Sequence, residues 1–130
     1  MTQEEEKDLL LKDLCSRLPY GVRYRHFTWN DEYGETYIAA QIYSINTDGY
    51  VKNCHDDETV YIDNVRPYLF PLSSMTEEQK KEYQYITERW MNDPAYSISN
   101  SIDWLNKHHF DYRGLIEKGL AIDATGLNVY

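Results

Sequence analysis

Cysteine is nearly absent: Cys15 and Cys54 are the chain's only two, they stand far apart, and neither belongs to a CxxC pair. A disulfide framework is thereby excluded, and reduced thiols in a cytosol are the expectation. Long apolar runs are also missing. The chain opens on the polar, acidic MTQEEEKD, the opposite of a secretory leader, and the longest apolar run nearby is Leu9 to Leu11. Nothing approaches the ~20 apolar residues of a membrane span, so a soluble, cytoplasmic protein without a membrane partner is expected.

Basic residues are the third shortage, with 13 Lys and Arg against 22 Asp and Glu and a net charge of −9. The deficit is spread evenly, at −2 over residues 1–18, −4 over 19–75 and −3 over 76–130. Direct binding of DNA or RNA is disfavoured, because it draws on clustered Lys and Arg. An acidic nucleic-acid mimic would need its carboxylates lined up on one face, which this spread does not favour. Glycine-rich phosphate loops, GxSxG, HExxH and the kinase set are all missing.

What is present is enough for one folded domain over residues 1–130, with 42% apolar and 15% aromatic residues. Thr2 and Glu5 have capping-box spacing, and Leu10, Leu11, Leu14, Cys15 and Leu18 recur at helical steps, so a helix is predicted over 1–18, with Cys15 on its apolar face. From Val22 the period becomes two, with Val22, Tyr24 and His26 on one side and Arg23, Arg25 and Phe27 on the other. Trp29 to Glu35 reads as an exposed connection, Thr36 to Ile45 as a strand, and Asn46 to Gly49 as a tight turn into Tyr50 to Cys54. Thr59 to Val65 makes a fourth strand, stopped at Arg66-Pro67. Four short strands over 22–65 predict a small curled antiparallel sheet, like an SH3 barrel.

Pro67 to Ser74 should cross in extended form, with Leu69, Phe70 and Leu72 as plugs between layers. A helical layer is then expected over 76–120. Thr76 and Gln79 cap its first helix, which carries Tyr83, Ile86, Trp90 and Met91 and breaks at Asn92-Asp93-Pro94. Ser99 to Ser101 offer caps for a helix bearing Trp104, Leu105, His108 and His109. Asp111 is placed to cap a turn at Leu115 to Lys118 closed by Gly119, and Arg113 to pair with Asp103 or Asp111. The fold class is α+β.

Candidates for chemistry are few. His108 and His109 are adjacent and diverge by about 100° on a helix, and Cys54-His55 likewise lacks the spacing of a zinc-ligand pair. Joint ligation by the two pairs is left to the fold. Cys54 as a nucleophile needs a base and a lowered thiol pKa, which sequence does not reveal. Asp56, Asp57 and Glu58 could hold a divalent cation but lack the alternating order of an EF-hand, and read as an acidic turn. No catalytic residue, metal ligand or cofactor is assigned. Thirteen tyrosines are the unusual feature. Strand propensity explains many of them, but Tyr20, Trp29 and Tyr33 fall in or beside loops and are the candidate binding patch.

In PYLFPLSSMTEEQ and DWLNKHHFDYRGLIEKGLAID, with motifs from Tyr68 to Thr76 and from Trp104 to Asp123, the chain resembles a group of small uncharacterised proteins encoded by gut bacteria and by their phages and mobile elements. That resemblance implies an accessory role in such a setting and carries over no catalytic residue. The leading expectation is a non-enzymatic protein-binding module. The alternatives are a small hydrolase or nuclease using His108 or His109 with Asp111 or Cys54, and the acidic mimic.

Overall fold

The computed structural model describes residues 1–30, 32, 34–56, 58–89 and 94–130; Asp31, Tyr33, Asp57, Trp90, Met91, Asn92 and Asp93 lie outside them. Thr2 caps α1 (Gln3–Arg17) through its hydroxyl, which accepts the Glu5 N–H at 3.2 Å. The Glu5 carboxylate takes the hydroxyl proton of Thr2 instead of closing the free N–H of a full capping box. The buried stripe of α1 is Leu10, Asp13, Leu14 and Arg17; of the other expected face residues Leu11 and Leu18 pack half-buried on the core, and Cys15 is exposed. Cys15 follows Leu14 by about 100° of helical turn, which carries it off that stripe.

Antiparallel pairing joins β1 (Arg23–Asn30), β2 (Gly34–Ile45), β3 (Tyr50–Asn53) and β4 (Thr59–Tyr61) in chain order. Val22, Tyr24 and His26 face inward, as the alternation predicts. The first hairpin is longer than expected, since Trp29 pairs with Glu35 and Asn30 with Gly34, so most of the supposed connection is strand. The Phe27–Tyr37 cross-strand pair carries the ladder on, with ring centroids 5.8 Å apart. Only β2 from Ile42 onward reaches β3, which leaves the far half of the hairpin as a two-stranded ribbon.

Curling comes from a register shift at Tyr43, where one extra residue bends β2 and turns Ile45 onto the core. At the next turn Gly49 takes φ 91°, and a Cβ there would stand 3.1 Å from Lys7 and 3.2 Å from Ile62. Glycine satisfies both the turn and the packing. β4 stops at Tyr61, and Ile62–Asn64 tightens into a 3-10 turn before Arg66-Pro67 returns to β1, where the Arg25 N–H bonds Arg66 O at 3.1 Å. The result is a half-barrel, and α1 fills its mouth with Leu10 and Leu14 against Val22, Tyr24, Ile42, Val51 and Ile62.

The stretch after Pro67 is extended, as expected, but it is also the centre of a second sheet. β5 (Tyr68–Pro71) pairs in parallel with β6 (Phe110–Asp111) and with β7 (Ile122–Asp123). Its alternation sends Leu69 into the half-barrel core and Phe70 toward a smaller cluster of Trp104, Leu105 and Phe110. Leu72, expected as a plug, is exposed because Leu72–Ser74 turns away as a 3-10 piece.

α2 (Glu77–Arg89) starts from a complete capping box: Gln79 N bonds Thr76 Oγ1 at 3.1 Å, and Thr76 N bonds Gln79 Oε1 at 2.9 Å. α3 (Pro94–Lys107) begins earlier than expected, so Ser99 to Ser101 lie inside it. Proline at a first helical position starts a helix well, because the N–H it lacks has no partner there. Asp111 caps the following turn through both carboxylate oxygens, to the Leu115 and Ile116 N–H groups at 2.9 Å each. Gly119, at φ 73°, closes that turn through Leu120 N to Leu115 O and Gly119 N to Ile116 O. Arg113 pairs with Asp13 at 3.2 Å, not with Asp103 or Asp111, since the turn folds back onto α1. Among the described residues no helix is long and apolar enough to cross a membrane.

Candidate functional site at the open edge of β1

The N–H groups of Arg23 and Arg25 point away from β2, toward Tyr130 Oη and Arg66 O. By the two-residue repeat of a strand, the N–H groups of Phe27 and Trp29 point the same way. Among the described residues, no backbone bond is made to this edge beyond Arg25. Three aromatic side chains border it on the outer face: Phe27, Trp29 at 67% exposed and Tyr37 at 57%. Arg25 stacks its guanidinium over the Tyr37 ring at 4.7 Å. A cleft of about 340 Å³ lies along the edge, lined by Arg25, Phe27 and Tyr37 on one side and Glu58, Val60 and Arg66 on the other.

A buried polar chain ends in the same cleft. Asn53 Nδ2 donates to Tyr24 Oη at 3.0 Å, Tyr24 Oη meets His26 Nδ1 at 3.0 Å, and His26 Nε2 meets Asp56 Oδ2 at 2.9 Å. Glu58 Oε2 lies 3.6 Å from the same Nε2. Asn53 also fixes the turn by accepting the His55 and Asp56 N–H groups on Oδ1. The Asp56 carboxyl is held down at about 2 by the Glu58 N–H on its other oxygen and then by the His26 ring. Burial pushes the Tyr24 hydroxyl up, so it stays protonated. Tyr24 is fully buried and the carboxylates stand at the solvent end, so the chain of contacts presents negative charge outward.

Of the residues marked from sequence, Tyr20 ends the 3-10 turn before β1 and Trp29 lies near the far end of that strand. Arg23 and Trp29 alone are separated by about 20 Å along an extended strand. Tyr20 and Trp29 therefore do not form one patch, and Tyr33 is outside the described residues. Trp29 shares the outer face with Phe27 and Tyr37 instead, neither of which was marked as a binding residue from sequence. Their outward alternation was the signal that could have found them. For His26, Asp56 and Glu58 no local signal exists, since 30 residues separate the histidine from its carboxylates.

Cys54 sits exposed in the turn after β3, whereas His108 and His109, expected on the helix, form the turn that follows the end of α3 at Lys107. His108 packs on Trp104, with centroids 4.4 Å apart. His109 takes φ 63° and stacks on Tyr130 at 3.7 Å. Burial, with the nearby Arg17 charge, pushes the His109 ring down to about 4. The fold thus prefers the neutral ring, so its contribution is complete above the unfolded pKa of about 6.5 and is lost as pH falls toward 4. Discounted for residual solvent contact, the loss is about 1–2 kcal/mol. Urea titrations between pH 7 and 4 should show this slope in the natural chain and a shallower one in His109→Asn, which keeps a residue tolerant of positive φ. His108→Ala should leave the slope in place. The chain matches no family model, no curated protein and no solved structure.

Proposed function

We propose that this chain is a non-enzymatic protein-binding module that takes an extended segment of a partner as an added strand along β1. The observation that carries this reading is the free edge at Phe27 and Trp29. An uncovered edge with apolar side chains is an aggregation liability that proteins ordinarily blunt with lysines, proline or a covering element. Its retention here, beside a cleft and three exposed rings, suits strand addition, in which main-chain bonds supply affinity and alternate side chains supply selectivity. In the phage or mobile-element setting that the resemblance implies, the partner is a protein of the host or of the element.

Phe27→Pro tests this reading directly, because it removes the outward N–H of the edge and leaves the β2 ladder its bonds. Capture of a partner from host lysate should fall at least about tenfold, the effect of losing ~1.4 kcal/mol of binding, with the far-ultraviolet spectrum unchanged. Undiminished capture by a folded Phe27→Pro chain overturns strand addition. A natural chain that captures nothing and does not self-associate overturns the binding module itself.

A further inference from the structure

The geometry points to a divalent-metal site at His26, Asp56 and Glu58, with Zn²⁺ as the ion it would hold most tightly among Zn²⁺, Mn²⁺ and Mg²⁺. One ligand atom from each residue, His26 Nε2 and one oxygen of each carboxylate, lies within 4.8 Å of the other two. In a tetrahedral zinc site with ligands at about 2.0–2.1 Å, neighbouring ligand atoms stand about 3.3–3.4 Å apart. The observed distances from Nε2, 2.9 Å to Asp56 and 3.6 Å to Glu58, fall on either side of that spacing. Shifts of a few tenths of an ångström in two solvent-facing carboxylates would equalise them. Mixed nitrogen and carboxylate donors suit zinc better than magnesium, which keeps to oxygen.

A simple acidic turn does not account for the histidine. His26 is only 3% exposed, and its far nitrogen is held by Tyr24 Oη, itself fixed by Asn53. A metal-binding imidazole needs such a partner, because the Nδ1–H it donates leaves Nε2 with a free lone pair. Roles at Nδ1 depend on the ring tautomer: zinc selects the Nδ1–H form, in which Tyr24 Oη accepts from Nδ1–H and from Asn53 Nδ2 and the Tyr24 hydroxyl proton gives up Nδ1 as its acceptor. His26 and Glu58 both line the 340 Å³ cleft, which places the fourth coordination position where water or a ligand can enter. Three protein ligands and one open position are the arrangement of zinc sites that exchange ligands. The site stands independently of strand addition at β1.

Titration calorimetry of the full chain with ZnCl₂ in chelator-free buffer tests this inference. One ion should bind per chain. Asp56→Asn keeps the turn's hydrogen-bond acceptors and removes a charged ligand, and should weaken binding more than about tenfold, as should Glu58→Gln. Cys54→Ser with His55→Ala removes the neighbouring donors and should bind as the natural chain does. With ¹⁵N-histidine labelling, zinc should shift the ring nitrogens of one of the four histidines, and that signal should be lost in His26→Gln. Absence of saturable binding at 100 µM zinc, on the order of the weakest useful affinity, overturns the site. So does binding abolished by the Cys54/His55 variant and retained by Asp56→Asn.

Discussion

Asp13→Ala is expected to destabilise the protein by about 3–5 kcal/mol, enough to leave a domain of ordinary stability close to unfolding. The Asp13 and Arg17 side chains are both fully buried and paired at 2.8 Å on successive turns of α1. Asp13 also accepts from Arg113, while Arg17 donates to the Phe110 carbonyl at 2.7 Å and lies over the Tyr112 ring. One carboxylate therefore neutralises two guanidinium groups and ties the N-terminal helix to the strand and turn of residues 110–113. Removing it strands Arg17 in the interior with a carbonyl and the Tyr112 ring but no counter-charge, and that uncompensated charge dominates the loss. Removing both partners together, as Asp13→Leu with Arg17→Met, should recover most of the stability, since well-packed apolar pairs often replace buried ion pairs at little cost. Denaturant unfolding of the two single variants and the double variant measures the coupling directly. Equal, additive losses would show that the charges act separately.

That network marks the boundary of what the sequence allowed one to read. Caps and turns were legible because their chemistry is local: Thr76 with Gln79, Asn46 with Gly49, and Asp111 with Leu115 each act within five residues. Alternation from Val22 to Phe27 was legible for the same reason, and with the turn spacing it sufficed for an α+β chain with a curled sheet. Nothing in the sequence marked Asp13 and Arg17, because charges four apart on a helix are usually solvated, and their burial depends on residues 93 to 100 positions away. The parallel ladders of β5 escaped notice too. β6 and β7 are two residues each, too short to show a period, and parallel partners lie far off in the chain. The candidate site failed on both grounds. Exposed rings on β1 and β2 looked like ordinary strand aromatics until their faces were known, and His26 meets its carboxylates only after the half-barrel curls.

Phe110 joins the two cores more directly than any histidine near it, and Phe110→Ala is expected to cost about 3–5 kcal/mol. Its ring is 2% exposed, lies parallel to Trp104 at 5.7 Å and meets Phe70 at 6.2 Å. Its carbonyl anchors Arg17, and its strand pairs with β5. Truncation would open a cavity between α3 and β5 that neither neighbour can fill, because β5 is held on its other side by β7 and by the half-barrel core. Phe110→Leu retains most of the volume and should lose less than about 1.5 kcal/mol. The backbone bond from Arg17 survives both substitutions, so the difference between them isolates the ring. If chemical denaturation finds Phe110→Ala no worse than Phe110→Leu, the smaller cluster is loosely packed and the clamp on the C-terminal layer lies in Asp111 and the Asp13 pair alone.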